Sequence, residues 1–457
     1  TVSKTLTLYA VYKKLPYTVT FNNNNGTSTS KIYTSLTMYA SKNQKVTLPD
    51  VPKVKGYTNL GWTTEKGETE LEYSAGDTVK ITKATQFYAV RRKSNYYTVS
   101  YYLGNGSTNA AYQKLTQIVE EGTVVTFAKV PARTGYVNQG WSSKKNSEKA
   151  TAKAKCTVNK NITLYAVQKK AVQLTFHRCD GSTWQKTTLA KGSSYSLPGV
   201  RDAEGYTFMG WSTKPMQSVS PQYEAEEKIT VNGNVDLYAV VFNRTTETDL
   251  TEDQLPQVDI YKYKQVIFVG DSRTEFMENV LTGMGESATK NVKFVCSAGK
   301  GLDWFTTTGW AQLYSIVQHD SNSILSKKTA VIFNFGVNDL SKSADYAEYY
   351  NWIAPQLKSK GCELYFMSVN PVNRLMLPNA GRADRSEAAV RSFNQYMKAN
   401  LSSAYTYIDM YSYLKSTGYS FASDHYGTGT VDDGLHYTTR TYKRIFAKCM
   451  DSLRVPA

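Results

Sequence analysis

The segment "QVIFVGDSRTEF", residues 265–276, is the clearest indication of the fold of the C-terminal half. Its uninterrupted apolar run predicts a buried strand, and the Gly-Asp-Ser turn leads into a polar segment suited to a helix. Ser272 would then have its hydroxyl at the sheet edge and its N–H near a helix N-terminus. A serine at this place is either a helix cap or a nucleophile. The rest of the chain must distinguish the two.

Four more apolar runs follow this stretch. Segments long enough for helices separate them, such as 345–361 and 384–401. The runs are "VKFVCS" (292–297), "AVIFNFG" (330–336), "ELYFMSV" (363–369) and "YTYIDM" (405–410). Buried strands joined by helical crossovers predict an α/β domain with a parallel sheet covered on both faces. Ligands of such sheets bind at the C-terminal ends of the strands, where any chemistry is expected.

Polar residues stand at those strand ends. The second run ends in "CSAGKG", the third in "FGVNDL", and "VDDGLHYT" (431–438) follows the fifth. Together they offer a serine, a glycine N–H, an asparagine amide and an Asp-x-x-His pair, which acyl transfer requires as nucleophile, oxyanion donors and oriented base. A metal site is less favoured, because no second histidine or cysteine stands near His436 at ligand spacing.

In this order, the four blocks resemble those of the SGNH hydrolases, or GDSL-type esterases, over residues 264–453. The resemblance implies a three-layer, flavodoxin-like fold and a serine esterase without a cofactor or metal. It implies Ser272 as nucleophile, Asp433 as orienting acid and His436 as general base. The oxyanion hole would consist of the N–H groups of Ser272 and Gly299 and the side chain of Asn338.

Several residues depart from that family or extend the site. Arg273 replaces the usual leucine, and Gly301 competes with Gly299 as the second oxyanion donor. We expect four possible substrate-pocket residues, although a surface salt bridge for the arginine and core packing for the tryptophan are open alternatives. They are Arg273, Trp304, Asn370 and His425.

The N-terminal half repeats itself. "GYTNLGW" (56–62), "GYVNQGW" (135–141) and "GYTFMGW" (205–211) share one frame, and each precedes a strand-like segment ending in Tyr-Ala-Val. Val-, Thr- and Tyr-rich alternation predicts small β domains with aromatic cores, although a sugar-stacking role for the aromatics is an alternative. The frame resembles the internalin B, or Listeria–Bacteroides, repeats, which implies β-grasp-like units used as spacers or adhesive stalks.

The predicted domain organisation combines these two halves. Residues 1–14 form the tail of a truncated repeat, and residues 15–95, 96–170 and 171–243 form repeats 1, 2 and 3. The polar segment 244–260 is a linker, and 261–457 is the hydrolase domain.

Charge is distributed unevenly between the halves. Residues 1–250 carry 32 Lys and Arg against 18 Asp and Glu, whereas residues 251–457 carry 22 against 20. The basic half suggests an anionic cell-wall polymer or glycan as partner, or only a solvated surface. A nucleic-acid partner is disfavoured because no recognition motif accompanies the charge. No apolar run reaches the roughly 18–20 residues of a membrane span.

The sequence therefore predicts a secreted or surface-associated bacterial serine carboxylester hydrolase, carried on a basic stalk or binding module. O-acetyl groups on a glycan are the expected substrate, without any cofactor. Two alternatives stay open: a surface adhesin with a secondary esterase domain, and an O-acyltransferase that uses the same triad.

Overall fold

The structure is a computed structural model that describes residues 4–5, 7, 9–10, 17–24, 30–259, 262–320, 328–377, 385–422 and 433–453. The chain divides into two compact units, residues 1–170 and residues 171–457. None of the described helices is long and apolar enough to cross a membrane.

Repeat 1 is a small β domain built around Trp62, whose side chain is fully buried. Parallel strands β1 and β6 lie at the centre of a sheet with the order β2-β1-β6-β4, and β3 pairs with β5 in a separate ribbon. The elements are β1 Tyr17–Asn22, α1 Lys31–Thr34, β2 Met38–Ala40, β3 Lys45–Thr47, β4 Tyr57–Thr63, β5 Thr78–Lys80 and β6 Thr85–Lys93.

Repeat 2 has the same plan. Its central parallel pair is β7 with β12, β8 and β10 flank that pair, and β9 pairs with β11. The elements are β7 Tyr96–Tyr102, α2 Ala110–Gln113, β8 Gln117–Glu120, β9 Thr123–Thr126, β10 Tyr136–Ser142, β11 Lys155–Val158 and β12 Ile162–His177.

Repeat 3 belongs to the second unit and uses residues 171–177 of β12. There β12 pairs in parallel with β17 and antiparallel with β13, and β14 pairs with β16. The further strands are β13 Thr183–Ala190, β14 Ser193–Ser196, β15 Tyr206–Ser212, β16 Lys228–Val231 and β17 Val235–Asn243. A strand, β13, stands where repeats 1 and 2 have a short helix.

The C-terminal domain contains a five-stranded parallel sheet with the order β19-β18-β20-β21-β22. Its strands are β18 Tyr263–Gly270, β19 Val292–Cys296, β20 Lys328–Asn334, β21 Cys362–Met367 and β22 Tyr405–Ile408. The central strands are buried on both faces, which explains their continuous apolar runs. The predicted parallel α/β sheet is confirmed.

Helices cover both faces of this sheet. They are α3 Ser272–Met284, α4 Leu302–Trp304, α5 Trp310–Asp320, α6 Ser343–Ser359, α7 Glu387–Asn400, α8 Met410–Thr417 and α9 Thr439–Ser452. One core contains Phe333 and Phe393, the other Phe268 and Phe446, so that the domain has three layers. The polar segment expected as a linker places Leu255 in the second core.

Candidate active site

Ser272 is the first residue of α3, and only Asp271 separates it from the end of β18. Asp271 is the N-cap of the helix, and its side chain accepts the N–H of Arg273 at 3.0 Å. Because Asp271 caps the helix, the Ser272 hydroxyl is available for another partner. That partner is His436, whose Nε2 lies 2.9 Å from the serine Oγ.

Asp433 continues this hydrogen-bond chain. Its Oδ2 lies 2.6 Å from Nδ1 of His436, which favours the tautomer with the proton on Nδ1. The three residues of this hydrogen-bond chain are almost completely buried, with exposed fractions of 5% for Ser272, 1% for Asp433 and 0% for His436. The structure therefore brings together a hydroxyl, an imidazole and a carboxylate in the order that a nucleophile and its base require.

The short turn from Asp433 to His436 holds the carboxylate in place. Oδ1 of Asp433 accepts the backbone N–H groups of Leu435 and His436 at 2.8 and 2.7 Å. Burial opposes ionisation of Asp433, but the hydrogen bonds from His436 and these N–H groups outweigh it and hold its pKa below the usual value. The carboxylate is thus ionised at neutral pH. The Phe276 ring packs edge-on against the imidazole at 4.5 Å.

The backbone N–H groups of Ser272, Gly299 and Gly301 have no acceptor among the described residues. Gly299 has a φ of +70°, and a side chain there would meet no atom within 4 Å. By contrast, a Cβ at Gly301 would lie 2.3 Å from a carboxylate oxygen of Asp339. Gly299 is therefore the glycine on the open side of this loop.

Asn338 lies beside that loop, as the resemblance implies. Its Nδ2 donates to the carbonyl of Lys300 at 2.7 Å, and its Oδ1 accepts from the guanidinium of Arg385. These two contacts fix the orientation of the amide and leave its second N–H for a ligand. The sequence gives no indication of Arg385, because its contact with Asn338 spans 47 residues and no motif marks it.

Other polar groups support the same loop. Asp339 accepts the N–H of Leu302 at 2.9 Å, and Glu275 accepts that of Ala298 at 2.6 Å. Burial raises the pKa of Asp339 above its usual value. The Asn-Asp pair of the third block thus serves two purposes: Asn338 faces the loop, and Asp339 anchors it.

Arg273 is buried and has no carboxylate partner among its described contacts. Its guanidinium donates to three backbone carbonyls, those of Leu435, Asn370 and Pro371, at 3.0–3.1 Å. The surface salt bridge considered for Arg273 does not occur among these contacts. This arginine ties the histidine turn to the loop after β21, so its contacts are those of a supporting residue.

The other possible pocket residues have different surroundings. Trp304 packs against the core, with its ring 6.1 Å from that of Phe335. Asn370 is 1% exposed, and its Oδ1 has no hydrogen-bond partner in the described part of the chain. His425, like Asp432, lies outside the described residues.

Asp271 is buried, and the positive charges of Arg273 and Arg385 lie near its carboxylate. Burial raises its pKa to about 6, although Arg273 and Arg385 favour the ionised form. The carboxylate that caps α3 therefore titrates closer to neutrality than an exposed aspartate does.

The fold and these contacts define a class, a three-layer α/β domain with a serine just beyond the C-terminal end of its first strand. Residues 266–449 belong to the GDSL-like lipase/acylhydrolase family, and residues 17–90, 97–167 and 173–240 are Listeria–Bacteroides repeat domains. Both resemblances found in the sequence are thereby confirmed.

Individual relatives are more distant. Two proteins of Evansella cellulosilytica, provisionally named a Gly-rich membrane protein and a membrane protein, are 28% and 26% identical to this chain over 237 and 235 residues. These matches cover 51% of this chain but only 26% and 33% of the relatives, so the chain spans about a third or less of their length.

Solved structures similar to this chain include a provisionally named acylhydrolase from Bacteroides fragilis, with 16% identity, a TM-score of 0.30 and coverage of 44% of this chain and 92% of that one. An acetylxylan esterase mutant from Geobacillus stearothermophilus has 10% identity, a TM-score of 0.27 and coverage of 43% and 96%. The catalytic domain of Streptococcus pneumoniae peptidoglycan O-acetyltransferase A has 16% identity, a TM-score of 0.26 and coverage of 42% and 92%.

Proposed function

We propose that the C-terminal domain is a serine carboxylester hydrolase. The observation that carries the proposal is the hydrogen-bond chain from Ser272 Oγ through His436 to Asp433, at 2.9 and 2.6 Å. His436 removes the serine proton as Oγ attacks the ester carbonyl, and Asp433 stabilises the imidazolium that forms. The imidazolium then protonates the leaving alcohol, which leaves an acyl group on Ser272. His436 next takes a proton from water, whose oxygen attacks the acyl carbonyl, and the proton passes to Ser272 Oγ as the bond to the acid breaks.

The proposed oxyanion hole consists of three donors. The N–H groups of Ser272 and Gly299 have no internal acceptor among the described residues, and Asn338 keeps one amide N–H beyond its contact with Lys300. Donors that are fixed before the reaction stabilise the developing negative charge without reorganisation. Arg385 supports this arrangement, because its contact with Oδ1 holds the asparagine amide in one orientation.

The proposed substrate is a short acyl ester, an O-acetyl group on a glycan. Membership of an acylhydrolase family supports ester chemistry, and the repeats support a polymeric substrate outside the cell. The sequence shows no long apolar lid segment such as a lipid substrate would require. The proposed localisation is accordingly extracellular or at the cell surface.

The test is hydrolysis of p-nitrophenyl esters and release of acetate from an acetylated polysaccharide. Ser272→Ala and His436→Ala should each lower kcat by at least about 10³-fold. Ser416→Ala, an exposed serine on α8, is the matched control and should retain full activity. Acetyl esters should be cleaved faster than octanoyl esters. Equal activity of wild type and Ser272→Ala would refute the serine mechanism.

An O-acyltransferase would use the same three residues but would exclude water from the second step. Adding a glycan acceptor separates the two activities: a hydrolase continues to release acetate, whereas a transferase acetylates the acceptor. An adhesin with a secondary esterase domain would bind the glycan with equal affinity in wild type and Ser272→Ala and show little turnover.

We further propose that repeats 1 and 2 bind an anionic wall polymer or glycan. Residues 1–170 carry 25 Lys and Arg against 9 Asp and Glu, whereas residues 171–457 carry 29 of each. The entire net positive charge of the chain therefore lies in residues 1–170, which contain the first two repeats. A basic surface of this kind attracts polyanions over a distance that depends on ionic strength.

A further inference from the structure

Repeat 3 differs from repeat 1 at the turn between β15 and β16. The N–H groups of Gly76 and Glu226 donate to the carbonyls of Leu48 and Leu197, which identifies them as corresponding positions. At this turn repeat 3 carries Glu224 and Glu226 where repeat 1 has Ser74 and Gly76, and before β15 it carries Asp202 where repeat 1 has Lys53. The acidic residues of repeat 3 therefore require an explanation other than the common repeat fold.

Glu226 adopts an unfavourable backbone conformation for a residue with a side chain. Its φ is +62°, at the position where repeat 1 has a glycine with φ +87°. Its carboxylate contacts the hydrolase domain twice, at Nε of Arg374 (3.0 Å) and at the N–H of Ala388 (3.3 Å) in the first turn of α7. The strained position is thus occupied by a side chain that joins repeat 3 to two elements next to the site.

Lys415 of α8 forms a second, buried connection. Its Nζ lies 2.8 Å from the carbonyl of Met209, 2.9 Å from Glu224 and 3.3 Å from Glu387. Burial opposes the charged amine, but Glu387 and Glu224 outweigh it and raise the pKa of Lys415. An ammonium held between carboxylates of both domains fixes their relative position more strictly than apolar packing alone.

Asn373 connects repeat 3 to the histidine turn. Its Nδ2 donates to the carbonyl of Val200 (3.0 Å) and to Oδ1 of Asp202 (2.9 Å), both in repeat 3. Its backbone N–H donates to the carbonyl of Gly434 at 2.8 Å. Asp202 is itself fixed by an ion pair with Arg244 at 2.7 Å. One asparagine therefore contacts both the repeat and the turn that carries Asp433 and His436.

We propose that repeat 3 contributes to catalysis and does not serve only as a spacer. Its contacts hold Asn373 in place, and Asn373 in turn positions the histidine turn, residues 433–436. The proposal rests on the proposed serine chemistry. A turn that moves by a fraction of an ångström lengthens the contact between His436 and Ser272, and misplacement of about 1 Å can cost up to about 100-fold in rate. KM for a small ester should change little, because Asn373 is proposed to act through the turn and not on the substrate.

Two full-length variants test this. Asn373→Ala removes both side-chain contacts to repeat 3 but keeps the backbone hydrogen bond to Gly434. Glu226→Gly restores the residue of repeat 1, relieves the positive φ and removes the contacts to Arg374 and Ala388. Each should lower kcat for p-nitrophenyl acetate by about three- to thirtyfold, with KM within about twofold. The matched control is Asp236→Asn, an exposed repeat 3 carboxylate that pairs with His177.

Measuring the Tm of each variant by thermal unfolding distinguishes an effect on the position of the histidine turn from an effect on stability alone. Unchanged kcat in both variants, with or without a lower Tm, would overturn the proposal, since repeat 3 would then at most stabilise the chain. If Asn373→Ala does not fold, Glu226→Gly decides the question alone, because glycine is favoured at that φ.

Amide hydrogen exchange tests the positioning role of Asn373 without a measurement of ester hydrolysis. In Asn373→Ala the N–H groups of Leu435 and His436 should exchange about tenfold faster, because the turn opens more often. Unchanged exchange would contradict the positioning role. If the wild type hydrolyses no ester while exchange accelerates in the variant, the proposed function fails and the role of repeat 3 stands.

Discussion

Buried charges at single residues decide how the site responds to pH, and Asp271 is the most informative of them. Burial raises the pKa of Asp271 in the folded protein to about 6, above the usual value of 3.8 for an aspartate. Between these two values the folded protein binds more protons than the unfolded chain. The free energy of unfolding therefore falls as the pH rises from about 4 to about 6.

The variant Asp271→Asn should accordingly be more stable than the wild type at pH 7. Asparagine caps a helix about as well as aspartate but carries no charge, so we expect a gain of up to about 3 kcal/mol. The difference should disappear near pH 4. Urea unfolding across pH 4–8 measures it, with exposed Asp50→Asn as control. A variant less stable than the wild type at pH 7 would show that Arg273 and Arg385 require the ionised carboxylate.

Arg273 shows a second consequence of burial. Replacement by the family's usual leucine leaves three buried carbonyls without their charged donor, so Arg273→Leu should lower the free energy of unfolding by at least about 3 kcal/mol. Arg273→Lys keeps one or two donors and should lose less. Urea unfolding at pH 7 measures both variants. A loss below about 1 kcal/mol for Arg273→Leu would mean that water replaces the guanidinium at these carbonyls.

At the scale of elements, the histidine turn depends on the close approach of Gly434 to the loop after β21. Gly434 has a φ of +67°, and a Cβ there would lie 2.3 Å from the carbonyl oxygen of Asn373. Gly434→Ala should therefore cost about 3 kcal/mol and lower esterase kcat more than tenfold. The matched control is Gly181→Ala, with φ +84° and no atom within 4 Å of a Cβ, which should cost about 1 kcal/mol. Equal effects of the two variants would exclude the steric contribution.

The strands of the sheet were predictable because burial on both faces makes them continuous apolar runs. The positions of Ser272, Asn338 and His436 followed from the rule that parallel strands present ligands at their C-terminal ends. Arg385 and Asn373 were not predictable, since their partners lie far away in the chain and their own neighbours show no motif. The role of Arg273 depends on three backbone carbonyls, which no side-chain pattern reveals.

The net charge of repeat 3 differs from that of repeats 1 and 2, and a sum over the whole N-terminal half conceals this difference. Counting charge over residues 1–250 hides the contrast between two basic repeats and a third that is not basic. The acidic residues at positions 202, 224 and 226 coincide with the contacts to the hydrolase domain. A repeat that departs from the charge of its neighbours is therefore a candidate for docking to another domain of the same chain.

In the whole molecule, the net positive charge and the proposed catalytic residues lie in different parts of the sequence. The net positive charge lies in residues 1–170, whereas the proposed catalytic residues lie in residues 171–457. If repeats 1 and 2 bind a polyanion, binding and turnover should respond differently to salt. The Debye length falls from about 10 Å at 0.1 M to about 3 Å at 1 M. Affinity for a teichoic acid should therefore decrease steeply over that range, whereas kcat for a small neutral ester should change less than about twofold.

Charge reversal of exposed lysines in repeat 2 tests the same separation. The triple variant Lys144→Glu, Lys145→Glu and Lys149→Glu changes the net charge by six units, and it should weaken polymer binding at 0.1 M salt at least about tenfold. The matched control reverses Lys186, Lys191 and Lys214 of repeat 3 and should weaken binding much less. Isothermal titration at two salt concentrations measures both. Equal losses of affinity in the two variants would show that binding depends on the total charge of the chain and not on repeat 2. An affinity that does not change with salt concentration would contradict the electrostatic explanation.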